Sequence, residues 1–157
     1  MPLLVTSLKT PVGTLNLLAD DQILIGANLS SISAFKVNSE IKSVKSIPVI
    51  SQLINDYFDG DLNAINAIKV RQPGASFSQA AWKVMRKVSA GKVISYSDLA
   101  DKAGSSAAVR AAGSACANNA IMLVVPCHRI VKTGGALGNY AYGVDKKEWL
   151  LSHEGFL

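Results

Sequence analysis

The sequence has few metal- and disulfide-forming side chains: two cysteines, Cys116 and Cys127, and two histidines, His128 and His153, in 157 residues. No zinc-finger spacing can be assembled from so few ligands, so no chelated metal is expected. One disulfide across a short loop would be a poor scaffold for a chain of this size. Apolar runs are short as well. None reaches the roughly 18 residues a membrane span needs, and the apolar start at Pro2-Leu3-Leu4-Val5 is brief, unpreceded by a basic residue and broken by Thr6 to Thr10. No membrane partner and no secretory signal are therefore expected, which makes the cytoplasm (or the nucleus, in a eukaryote) the default location. A hydrophobic fraction of 49% and a charged fraction of 17% exclude a disordered chain.

Acidic residues are scarce only in the second half. Residues 1–71 balance six basic against six acidic side chains, whereas residues 72–157 carry ten against five, so the whole net charge of +5 lies there. Such a domain suits phosphate contacts, although a solvated surface explains the charge equally well.

Patterning predicts α/β structure in the first half. Thr14–Ala19 and Ile23–Ala27 form a hairpin, residues 30–46 are rich in Ser and Lys, and Pro48–Phe58 is a helix stopped at Gly60. Nothing in residues 1–70 looks like a chemical site. Arg71-Gln72-Pro73-Gly74-Ala75 is the best domain boundary. Beyond it, Ser76 or Ser78 caps a helix carrying Trp82, Val84, Met85 and Val88 and ending near Gly91, Val93–Tyr96 is β-prone, and Ser97–Ala103 is a short helix closed by Gly104. Ser105 or Ser106 caps a further helix to Ala117. Two short helices about a glycine turn read as a helix-turn-helix. The second has almost nothing larger than Val except Arg110. It is either a helix packed closely on its neighbours or one slim enough for the minor groove, with an arginine able to enter a stack that has lost a base.

Val124-Val125-Pro126-Cys127-His128-Arg129-Ile130 carries the chemistry. An apolar run, expected as a buried strand, stops at Pro126 and leaves Cys127 where core meets loop. A cysteine in such a setting is often inert core. The adjoining His128 and Arg129 favour a thiolate, and burying them idly would be costly. Cys116 has no such company and reads as core. The glycine-rich Thr133–Gly143 loop is either ordinary flexible chain or a ligand-approaching segment in which Tyr140 and Tyr142 offer stacking surfaces. Val144 to Glu154 is an amphipathic helix. A carboxylate in its last turn opposes the helix dipole, so Glu154 needs a partner, and His128 is a candidate.

These blocks resemble the methylated-DNA–protein-cysteine methyltransferases, the O6-alkylguanine-DNA alkyltransferases. The likeness rests on Pro126-Cys127-His128-Arg129-Ile130, on Gly138-Asn139-Tyr140, on Glu148 to Gly155, on Gly91 to Tyr96 and on Ala103 to Asn119. It covers residues 76–155 well and the first half only in layout. The resemblance implies an N-terminal ribonuclease-H-like α/β domain over residues 1–70 and a C-terminal winged helix-turn-helix domain over 76–157. It implies single-use transfer from O6-alkylguanine, and from O4-alkylthymine, in double-stranded DNA to Cys127, by a monomer without a cofactor. His128 would be the base acting through a water, and Glu154 would orient it. Tyr96 would donate to guanine N3, and Asn119 would support the active-site turn. Arg110 would replace the flipped nucleotide, with Ala111, Gly113, Ser114 and Arg129 also facing DNA. Ile130, Tyr140, Ala141 and Tyr142 would line the base pocket, the carbonyls of Cys127 and Ile130 accepting from the guanine amino group. Tyr142 stands where relatives often have Gly, Ala141 where Ser is frequent, and Ala120 and Met122 where some have Pro. These departures bear on alkyl size. A non-catalytic lesion sensor, a winged-helix regulator and a multiple-turnover cysteine hydrolase are the competing readings.

Overall fold

The computed structural model describes residues 2–157. The chain makes two compact units that do not divide cleanly along the sequence. One runs to Gln72 and regains Ala120–Val124, and the other comprises Pro73–Asn119 and Val125–Leu157.

The first unit is built on β1 (Leu3–Thr10), β2 (Gly13–Asp20) and β3 (Ile23–Asn28), an antiparallel meander. Two short strands, β4 (Ile41–Ser43) and β5 (Lys69–Val70), add in parallel at its edges to give the order β4-β1-β2-β3-β5. The expected hairpin is β2 and β3. The strand β1 went unread because its threonines break an apolar pattern; pairing along seven positions of β2 supplies what the pattern lacks. Central β2 is buried on both faces from Leu15 to Ala19, so its apolar residues do not alternate with exposed ones, and the one polar member, Asn16, bonds Asn28 Oδ1 at 3.0 Å. Leu3, Val5 and Leu18 cluster under Ile25, Phe35 and Val37. Helix α1 (Ile50–Phe58) buries Ile50, Ile54 and Tyr57, offsets of four and three that share one helical face. It starts from Val49, whose φ of +68° and the 2.8 Å bond from Ile50 N–H to the Pro48 carbonyl make a strained γ-turn.

The second unit contains α2 (Ser76–Lys87), β6 (Ile94–Ser95), α3 (Tyr96–Lys102), α4 (Val109–Ala117), β7 (Ile130–Val131) and α5 (Val144–His153). Strands β6 and β7 pair in parallel, Ile94 with Ile130 and Ser95 with Val131. Ser95 caps α3 in a capping box with Asp98, which fixes Tyr96 as the first helical residue. Ala112 and Ala115 of α4 are fully buried, and the Ala115 carbonyl accepts from the Trp82 indole at 2.9 Å. Small residues therefore serve close packing on this face. The serine caps expected for α2 and α4 do not form; Ala75 and Ala108 stand at those positions without a side-chain bond.

The strand expected before Pro126 is also absent. Ile121 makes one bridge to Ala27, after which the chain turns tightly. Leu123 has φ +72° and Val124 N–H bonds the Met122 carbonyl at 2.9 Å, a γ-turn. A second follows about Pro126 (φ −84°, ψ 69°), closed from Cys127 N–H to the Val125 carbonyl at 2.9 Å. Two such turns in six residues exclude a regular ladder.

Candidate active site and nucleic-acid interface

Cys127, His128 and Arg129 form one 3-10 turn between the Pro126 γ-turn and β7. Pro126 contributes no N–H and biases Val125 to extended backbone, so regular pairing stops here and Cys127 becomes the first residue of a turn that stays buried. Cys127 is 8% exposed. Burial pushes its thiol above the usual range, while the Asn119 amide bonded to it and the Lys147 ammonium pull it back. The same amide donates to the Val125 carbonyl at 2.8 Å, so Asn119 ties both sides of Pro126.

His128 and Glu154 are brought together by α5, whose C-cap is Glu154. The imidazole Nε2 lies 2.8 Å from Glu154 Oε2, and neither side chain is exposed. Arg129 completes the group: Nε and a terminal nitrogen donate to the two Glu154 oxygens, both at 2.9 Å, and the other terminal nitrogen donates to the Val88 carbonyl at 2.7 Å. Burial would raise the Glu154 carboxyl, but the bonds from His128 and Arg129 outweigh it and bring it to about 2. Glu154 is therefore a carboxylate. Burial lowers His128, against the pull of Glu154, so the ring rests neutral. A carboxylate at Nε2 requires the proton on that nitrogen, which leaves the buried Nδ1 bare, and Nδ1 has no protein partner.

This geometry corrects the expectation for Arg129. At 2% exposure, with its donors spent on Glu154 and Val88, it is a strut for the carboxylate and does not face DNA. Lys147 was missed. It is fully buried, and its Nζ donates to the Ile130 carbonyl at 2.7 Å and the Asn139 carbonyl at 3.3 Å. In the sequence it belongs to Asp145-Lys146-Lys147-Glu148, which has the look of a solvated face; only its spacing of three and four from Leu150 and Leu151 marks it as inward. One lone pair of the Ile130 carbonyl, expected to await a guanine amino group, is thus already engaged.

A cleft of about 870 Å³ opens in the same unit, lined by Tyr96, Arg110, Gly113, Ser114, Tyr140 and Ala141 among others. The expected residues gathered here come from α3, α4 and the glycine-rich loop, which are distant in sequence. Lys132, Thr133 and Asn139 also line it and were not foreseen. Ala111 is exposed on α4 outside the lining. Cys127 is not in the lining either; it lies near enough to Tyr96 and Tyr142 to raise both phenols, after burial, Tyr96 to about 12. Tyr96 accordingly stays a donor. Gly138 lies beside it at φ +79°, a conformation that favours glycine. Tyr142 packs edge-on against Tyr140 with centroids 5.7 Å apart. Among the described residues no group of three His, Cys, Asp or Glu could hold a metal ion, and no helix is long and apolar enough to cross a membrane.

Residues 76–156 match the profile of the 6-O-methylguanine DNA methyltransferase DNA-binding domain. A methylated-DNA–protein-cysteine methyltransferase of Shigella flexneri is 35% identical, the match covering 99% of this chain and 97% of that protein. The protein of that name from Homo sapiens is also 35% identical, over 96% and 79%. Among solved structures, Mycobacterium tuberculosis OGT in complex with DNA superposes with a TM-score of 0.83 at 26% identity, over 97% of this chain and 92% of that one. That likeness extends to the whole mixed α/β fold. By its profile match and its full-length relatives, the chain belongs to the methylated-DNA–protein-cysteine methyltransferase family of DNA-repair enzymes.

Proposed function

We propose that this protein repairs duplex DNA by moving the alkyl group of O6-alkylguanine, and of O4-alkylthymine, onto its own Cys127, once per molecule. The observation that carries the reading is the buried His128, whose tautomer is fixed by Glu154 so that a bare ring nitrogen belongs to the residue next to the thiol. This is the nucleophile–base–orienter arrangement of activated cysteines.

In the resting protein Cys127 is a thiol, held so by burial. As it attacks, His128 Nδ1 takes the proton through a bridging water, and the new imidazolium is balanced by Glu154. The sulfur–carbon bond forms as the carbon–O6 bond breaks. The bonding pair returns to the purine, which gains a proton overall while Cys127 has lost one. Tyr96, protonated because its pKa is high, donates to guanine N3 and stabilises the departing base. Lys147 and the Asn119 amide stabilise charge developing on sulfur. A thioether is a poor leaving group, so no step regenerates the thiol.

The target base reaches Cys127 by leaving the stack through the minor groove. Helices α3 and α4 act as a helix-turn-helix within a winged domain, and the sheet unit, a ribonuclease-H-like domain, acts as scaffold. The small outer face of α4, with Ala111, Gly113 and Ser114, suits a groove only about 6 Å wide. Arg110 fills the gap left by the flipped nucleotide. Tyr140 and Ala141 receive the base, and Tyr142 narrows the space beside the sulfur against bulky alkyl groups. The protein works as a monomer.

Intact mass after incubation with a duplex containing O6-methylguanine tests the reading, with Cys127→Ala alongside. One added methyl per chain, absent in the variant, is the expected result. Tight lesion binding without mass gain would favour a sensor, and methyl released to solvent over many cycles would favour a hydrolase.

A further inference from the structure

The second unit has another cavity, about 460 Å³, that the chemistry above does not use. Its walls come from the last turn of α2, the Ser89–Lys92 turn and the end of α3. Val84, Val88 and Ile94 contribute apolar surface, and Lys87, Lys92 and Lys102 stand around it. The turn that aims Lys92 is closed from Lys92 N–H to the Ser89 carbonyl at 3.1 Å. It passes through Gly91 at φ +87°, where a Cβ would press on the Glu154 carbonyl at 3.0 Å.

All three lysines are exposed, none makes an ion pair among the described residues, and no acidic side chain lines the cavity. Lys87 and Lys102 each sit in the last turn of a helix, where the dipole favours a cation. That accounts for each alone but not for their convergence with Lys92. Two helix C-termini supply about one negative charge between them, so three ammonium groups leave the cavity positive.

We propose that this cavity holds backbone phosphates of the same DNA duplex, as a contact separate from the Arg110 cleft. The inference rests on the reading that the protein acts on DNA. Helix α3 links the two places: Tyr96 at its start lines the cleft and Lys102 at its end lines the cavity. Seven helical residues span roughly 10 Å. One DNA strand advances about 3.4 Å per phosphate, so the cavity lies within about three nucleotide steps of the cleft. Phosphates flanking the bound segment are thus within reach, and the charge excess of the second half has a use beyond Arg110 and Lys132.

The test is a salt titration of binding to an unmodified duplex by wild type and by the triple variant Lys87→Ala, Lys92→Ala, Lys102→Ala. Each phosphate contact contributes about 0.9 to the slope of log affinity against log salt, so the slope should shrink by about 2–3. Affinity at low salt should fall about tenfold or more. Alkyl transfer from a free O6-alkylguanine base should keep its wild-type rate, and the triple arginine variant should keep the wild-type slope. An unchanged slope overturns the proposal. So does an equal loss in a control lacking Lys36, Lys42 and Lys45, which are exposed in the first unit. A wild type that binds no duplex overturns the DNA reading itself, and this site with it.

Discussion

The two units bury different kinds of polar group. In the first, the buried polar side chains are Thr6, Asn16, Asn28, Ser51 and Gln72, all neutral and hydrogen-bonded, as from Asn16 Nδ2 to Asn28 Oδ1 at 3.0 Å. In the second they are His128, Arg129, Lys147 and Glu154, all ionisable. Neutral pairs cost little to bury and fix register. Buried charges rarely stabilise a fold relative to apolar replacements, because lost hydration offsets their attraction. Stability in the first unit follows from packing, whereas the proposed chemistry accounts for the charges that the second holds in its interior.

The sharpest way to break that contrast is Glu154→Ala. It strands Arg129 as an unpaired buried charge, at a cost of about 3–5 kcal/mol, and frees the His128 tautomer. Denaturant unfolding should show the loss, and single-turnover transfer should slow on the order of a hundredfold. Leu17→Ala in central β2 is the mirror experiment. It should cost about 2–5 kcal/mol while leaving the transfer rate per folded molecule unchanged; a slowed rate would mean the sheet takes part in the chemistry.

Acid should separate the units more gently. Glu154 sits at about 2 against an ordinary 4.5, and burial holds His128 below its ordinary 6.5. Both folded values lie below the unfolded ones, so each contribution is complete above the unfolded value and is lost as pH falls through the folded one. Stability should decline from about pH 6.5 downward and more steeply below 4.5. Both tryptophans, Trp82 and Trp149, belong to the second unit, so their fluorescence reports on it alone. Its acid transition should come first, with the β-sheet circular dichroism persisting. The smallest effect is Val49→Gly, which relieves an exposed, β-branched residue at φ +68° and should stabilise the chain by about 1 kcal/mol.

Much of the second unit was legible because its signals are local. Pro126 before Cys127, the glycine after α3, and a carboxylate in the last turn of α5 each carry a physical reason confined to a few residues. The pairing of Glu154 with His128 could be anticipated because an anion at a helix C-terminus needs an outside partner. Arg129 and Lys147 were misread or missed for the opposite reason: a cation inside a polar run looks solvated, and only the folded chain tells which side of the turn or helix it occupies. Strand β1 and the turns over Met122 to Cys127 escaped similarly. One is decided by its partner strand, and the other is held by bonds that override the extended preference of Leu123, Val124 and Val125.

The return of Ala120–Val124 to the first unit bears on how such proteins can be recombined. The Pro73 turn looks like the natural seam for joining the front of one relative to the back of another. A single crossover there would separate Ala27 from the residues whose backbone it bonds, Ala120 and Met122, and would give four fully buried neighbours, Ile121 to Val124, a foreign setting. A chimera that respects the packing must inherit those five residues with the front parent and resume the back parent at Val125. The peptide leading into Cys127 thus descends with the sheet rather than with the sulfur it delivers.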